Sequence, residues 1–138
     1  MPGRLSTNDA NKILDQFFGK SAVPNVPDVY WLGLSLSLPH PTGTNINEPP
    51  GNGYARVQVP NTAAVWPTAA NRNKANAAPF TFPQATGDGW GQIAWFVLMD
   101  AQTGGAMRGW GELNPVVTIL GGETRSFPIG AIVVLAPV

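Results

Sequence analysis

The sequence predicts an all-β fold, an antiparallel β-sandwich of jelly-roll or Ig-like type carrying one short N-terminal α-helix. Three observations lead there. Apolar residues recur at every second position in several short runs, clusters of Gly, Pro and Asn punctuate those runs, and helical periodicity occurs once, near the N-terminus. A chain of 138 residues suits a single domain over 1–138 that buries a real core without staples, with 1–20 as a docking helix and 28–138 as the sandwich.

Ser6 or Thr7 can cap the helix, and Asp9 favours its positive N-terminal end. Ala10, Ile13, Leu14, Phe17 and Phe18 then form one apolar stripe at i, i+3, i+4, i+7 and i+8 before Gly19 stops it. A helix this short is marginal alone, so it must dock. Phe17 and Phe18 either pack on the parent domain or anchor a neighbouring subunit.

From Val29 the period becomes two, with Tyr30, Leu32, Leu34, Leu36 and Leu38 on one face and Trp31, Gly33, Ser35 and Ser37 on the other. After a loop over 39–53, Ala55, Val57 and Val59 oppose Tyr54, Arg56 and Gln58 until Pro60 ends the second strand. Residues 61–78 are polar and alanine-rich and read as a long surface connection. Residues 80–83 suggest a short strand, and 92–99 are apolar at nearly every position, as in a central strand covered on both faces. Residues 100–105 supply hairpin turn residues leading back through 107–113, and strands over 116–120 and 131–136 complete the run. Connections so short and glycine-rich hold no crossover helices, so the strands are read as antiparallel. No fixed-period repeat supports a propeller or solenoid.

Catalytic parts are scarce. Cysteine is absent and His40, between Pro39 and Pro41, is the only histidine, so triads, thiolate chemistry and zinc hydrolysis lack their usual groups. No cofactor or metal is expected, and His40 reads as a loop residue. The glycine-rich stretch 87–91 precedes a strand rather than a helix and fails as a phosphate cradle. Asp88, Asp100 and Glu112 are the carboxylates that a glycosidase could use, yet each sits in an ordinary turn or strand position.

Eight basic and eight acidic residues cancel, which removes any field for recruiting nucleic acid or an anionic membrane surface. No apolar run is long enough to span a bilayer, and no basic segment leads into an apolar core as in a signal peptide. Charged residues are 12% of the chain against roughly 25% in ordinary domains, a surface suited to being covered by neighbours. Trp95 reads as core. Trp31, Trp66, Trp90 and Trp110 have polar or glycine neighbours and serve either packing or contact; Arg108 shares a strand face with Trp110, where its cation could lie over the indole.

The densest local signal is Glu48-Pro-Pro-Gly-Asn-Gly-Tyr-Ala-Arg-Val57, a proline-stiffened, glycine-tipped loop entering a strand. With Leu14-Asp-Gln-Phe-Phe-Gly-Lys20, Val29-Tyr-Trp-Leu-Gly-Leu-Ser35, Phe80-Thr-Phe-Pro-Gln-Ala-Thr86, Trp90-Gly91, Asp100-Ala-Gln-Thr-Gly-Gly105 and the closing segment 121–138, its order and spacing carry a resemblance over nearly the full length. The chain resembles a family of small bacteriophage virion proteins commonly labelled tail-fibre proteins. That resemblance implies a non-enzymatic structural part with no catalytic residues to carry over.

Without heptads, collagen-like triplets or repeats for a shaft, the expected placement is capsid decoration. The chain would cement the assembled head at local threefold axes, as a homo-oligomer, a trimer by symmetry, bound to the major capsid protein or another virion protein. It would reside in the virion, assembled in the host cytoplasm. Stiff loops lose little entropy on docking, so Pro39, His40, Pro49 and Pro50 are the expected contact residues, with Phe17, Phe18, Trp66, Trp90, Arg108 and Trp110 beside them. The alternative is a tail-fibre or receptor-binding protein that uses its tryptophans as glycan platforms.

Overall fold

The computed structural model describes residues 3–20 and 25–135. Nine strands and one helix follow in the order β1 (Gly3–Leu5), α1 (Thr7–Phe17), β2 (Val29–Ser35), β3 (Val57–Pro60), β4 (Asn73–Ala75), β5 (Phe80–Thr81), β6 (Gly91–Met99), β7 (Met107–Ile119), β8 (Ser126–Phe127) and β9 (Val133–Leu135). Seven strands form one curled, open sheet in the order β3-β2-β6-β7-β1-β9-β4, and β5 pairs with β8 as a separate ribbon. The all-β class with a single N-terminal helix therefore stands. The finer expectation of a closed sandwich, jelly-roll or Ig-like, is not confirmed, because most strands join one continuous sheet instead of dividing between two.

Alternation explains β2. Leu32 and Leu34 are fully buried and pair with Leu98 and Phe96 of β6. β6 is the sheet's central apolar strand, with Ile93, Phe96, Val97, Leu98 and Met99 all buried. Its neighbour β7 runs 13 residues without a break, merging the two strands expected over 107–113 and 116–120. Trp95 lies only half-buried, opposite Glu112 on β7, in place of the core position expected for it.

Two differences from the sequence reading are topological. β1 precedes the helix within the span expected as helix alone, and it inserts between β7 and β9, antiparallel to the first and parallel to the second. Opposite ends of the chain can pair in parallel with no crossover unit, which the short-connection argument did not consider. The segment 61–78 is also more than a connection: it holds β4, which pairs with β9, and it buries Val65, Trp66 and Asn76. Asn76 is held by bonds to Ala78 O, Pro128 O and the Ile132 N–H, a network that makes a polar residue tolerable in the interior. Residue 136, the last of the strand expected over 131–136, lies outside the described residues.

The main core fills the curl. Leu32, Leu34, Phe96 and Leu113 from the sheet meet Trp66, Phe80, Phe82, Trp90 and Phe127 from the loops and the ribbon. The rings touch edge to face, Tyr54 with Trp90 at 5.3 Å and Phe82 with Phe127 at 5.8 Å between centroids. A smaller cluster of Val97, Met99, Met107 and Trp110 is packed by Trp31 and by Ile46 of the long loop.

Candidate functional site: the helix and the adjoining groove

The helix forms where the sequence placed it. Ser6 is its N-cap, accepting from the Asp9 N–H at 3.3 Å. Its apolar stripe is not spent on the parent domain: Phe17 and Phe18 are 76% and 79% exposed, and Leu14 is also exposed. Among the described residues of α1 only Asp9 is buried. Asp9 Oδ2 accepts from Arg108 Nε at 2.6 Å, across 99 residues of sequence, and both side chains are close to nine-tenths buried. Arg108 also donates to Asn25 O and lies 3.7 Å from Asp100 Oδ2. Its affinity for its proton is raised, chiefly by the bond to Asp9 and against the opposing effect of burial. One ion pair thus ties helix, strand and hairpin together.

Beside that pair opens a groove of about 380 Å³, walled mostly by apolar surface from Leu5, Ile13, Tyr30, Trp66, Leu98 and Val134, with Arg72 and Lys74 also lining it. Burial raises the Tyr30 hydroxyl above its ordinary pKa, with the nearby Arg108 charge opposing. Two buried polar atoms of groove residues, Asp9 Oδ1 and Trp66 Nε1, have no hydrogen-bond partner among the described residues.

The remaining expected contact residues are divided between surface and interior. Trp66, Trp90 and Trp110 are buried, so these three indoles do not form an exposed platform. Arg108 pairs with carboxylates, while Trp110 packs with Met99 and Met107; a register shift of β7 against β6 falls next to Arg108. His40 is exposed in a tight turn, its Nδ1 2.6 Å from Thr42 Oγ1, while Pro39 is buried. Pro50 is exposed and Pro49 buried.

The loop that opened with Glu48 is bonded inward. Glu48 accepts two bonds from Arg56, Nε to Oε1 at 2.8 Å and Nη2 to Oε2 at 2.7 Å, and a third from the Tyr54 hydroxyl at 2.6 Å. Arg56 Nη1 reaches on to the carbonyls of Ala101 and Gly104, closing the β6–β7 hairpin. At the tip, Asn52 O accepts from Trp90 Nε1 and Asn52 Nδ2 donates to Gly89 O. Gly53 has a positive φ of 79°, and a Cβ there would meet Gln84 O at 2.9 Å, so both conformation and space require glycine.

This network predicts a pH response. Burial pushes the Glu48 carboxyl up, but the bonds from Arg56 and Tyr54 and the Arg56 charge outweigh it, holding the group below its ordinary 4.5. Burial first, then the bond to Glu48, raises the Tyr54 hydroxyl far above its usual range. A depressed carboxyl stabilises the fold fully above its unfolded pKa, and that stability is lost as pH falls through the folded value. Urea titrations should therefore show stability falling below about pH 4.5, less steeply in Glu48→Gln; identical acid limbs would remove Glu48 as a cause.

The carboxylates considered for glycoside hydrolysis are engaged or scattered. Asp100 accepts from the Ala106 N–H and faces Arg108, Asp88 is exposed in its turn, and Glu112 lies on β7 opposite Trp95. Among the described residues no group of His, Asp and Glu could hold a metal ion, and no helix is long and apolar enough to cross a membrane. The groove itself was not legible beforehand. By sequence Asp9 is a helix-dipole residue, and nothing local joins it to Arg108 or brings Arg72 and Lys74 to the same groove.

Residues 4–135 match the family model described as Podophage GP4 fiber I protein gp80. No curated protein matches the chain. The match overturns the capsid-decoration reading: similarity over nearly the whole chain is to a fibre protein and not to a lattice cement. The missing shaft repeats misled because they exclude a chain that is itself a long shaft, not a compact part of a fibre.

Proposed function

From the premise that this chain belongs to the podophage GP4 fiber I protein family, we propose that it is a tail-fibre subunit that joins its neighbours through the exposed apolar end of α1. It is non-enzymatic, part of the assembled virion, and interacts with other virion components. The observation carrying the attachment is the outward stripe of Leu14, Phe17 and Phe18 on a helix whose buried tie to the sheet is the Asp9–Arg108 pair. On this reading the chain acts as one unit, a homo-oligomer with a trimer the expected number, built into particles in the host cytoplasm. The ribbon of β5 and β8, which shares the main core with the sheet, serves as the small second layer of a sandwich.

Location and attachment are tested together on purified particles. Quantitative mass spectrometry and antibody-gold microscopy should give few copies per particle, labelled at the tail; a ratio near that of the capsid protein would overturn the reading. The double variant Phe17→Ser/Phe18→Ser should shift folding stability by no more than about 0.5 kcal/mol, as exposed positions do. It should nonetheless be missing from particles. Incorporation at the wild-type level would sink the role of α1.

A further inference from the structure

The groove and the helix stripe are complementary surfaces left open on the same chain. We propose that α1 of one copy seats Phe17 and Phe18 in the groove of a second copy, a head-to-tail contact that closes into a ring. This rests on the fibre-subunit reading and names the partner of the same helix.

Shape and apolarity agree first. The groove has about 380 Å³ of space and mainly apolar walls, and the Phe17 and Phe18 rings are more than three-quarters exposed. Charge agrees independently. The last turn of α1 contains no basic residue and includes Asp15, so the end bearing Phe17 is negative through both the helix dipole and that carboxylate. Arg72 and Lys74, exposed residues that line the groove, supply positive charge there. Lys20, beyond the helix, offsets this only in part.

Area is sufficient for a repeated contact. Aromatic side chains bury roughly 150–250 Å² each. Two rings and Leu14, with the matching groove surface, remove on the order of 1,000 Å², close to the lower bound of specific interfaces at about 1,200 Å². In a ring each copy makes the contact twice, once with its helix and once with its groove, and closure prevents growth into a filament.

The test uses the purified full-length chain, light scattering after size exclusion, and two variants with complementary defects. Phe17→Ser/Phe18→Ser has no plug, and Ala69→Trp, at an exposed position lining the groove, has no socket. Wild type should be oligomeric and each variant monomeric, with near-ultraviolet circular dichroism confirming that both are folded. An equimolar mixture should form a 1:1 dimer, because one intact helix then meets one intact groove. Should Ala69→Trp fail to fold, Arg72→Glu/Lys74→Glu replaces it and should weaken self-association about tenfold, with the loss shrinking at high salt.

A monomeric wild type, full oligomerisation of the socket variant, or a mixture that stays monomeric would each overturn the proposal. Full oligomerisation of the socket variant would mean that the helices pack on one another. The fibre reading is judged on particles and this contact on purified protein, so either can fail alone.

Discussion

Replacing Arg108 by alanine will destabilise the protein by about 3–5 kcal/mol and detach α1 from the sheet. The magnitude follows from what is left behind. Asp9 has one oxygen without a partner among the described residues already, and its other oxygen depends on Arg108 Nε at 2.6 Å. Without the guanidinium, a carboxyl group whose side chain is 10% exposed is left buried with no partner charge, and Asn25 O loses its donor as well. Removing both charges together is far less costly, so Asp9→Leu/Arg108→Met should recover most of the loss. Urea denaturation measures the energy, and hydrogen exchange of the α1 amides measures detachment. A loss below about 1 kcal/mol, or unchanged protection in α1, would mean that apolar contacts rather than the ion pair hold the helix.

Glu48→Ala will cost about 3 kcal/mol for a related reason. Arg56 is the more buried partner, its side chain 7% exposed, and it would keep only the bonds to Ala101 O and Gly104 O. The Tyr54 hydroxyl would lose its acceptor while still accepting from the Leu34 N–H on β2. The disturbance therefore reaches a central strand as well as the loop. A double-mutant cycle with Arg56→Met separates the pair's coupling from the loss of each side chain, and the expected coupling is at least about 1 kcal/mol. Additive losses would show that Glu48 and Arg56 act independently despite their two short bonds.

These two ion pairs show where local reading stopped. The segment from Glu48 to Val57 was recognisable because proline and glycine restrict backbone conformation in ways visible within ten residues. Its stiffness suggested a contact surface. The structure turns much of its bonding inward, with Tyr54 and Arg56 both donating to Glu48 while Asn52 holds the turn around Gly89. Phe17 and Phe18 illustrate the reverse: their spacing gave a helix face, but whether that face was covered depended on where the helix lay. The structure leaves both rings exposed.

Sequence alone determined the β-rich class, the position of the one helix with a cap at Ser6 or Thr7, the central strand over 92–99 and the hairpin that follows. All of these depend on side-chain period, capping or turn chemistry acting within a few residues. Only the tertiary structure decided that β1 enters the sheet between β7 and β9, that Trp66, Trp90 and Trp110 face inward, and that Asp9 meets Arg108 beside an open groove. Strand order and the pairing of distant charges depend on which segments meet after the chain has curled. Alternation along one strand specifies its faces but not its neighbours.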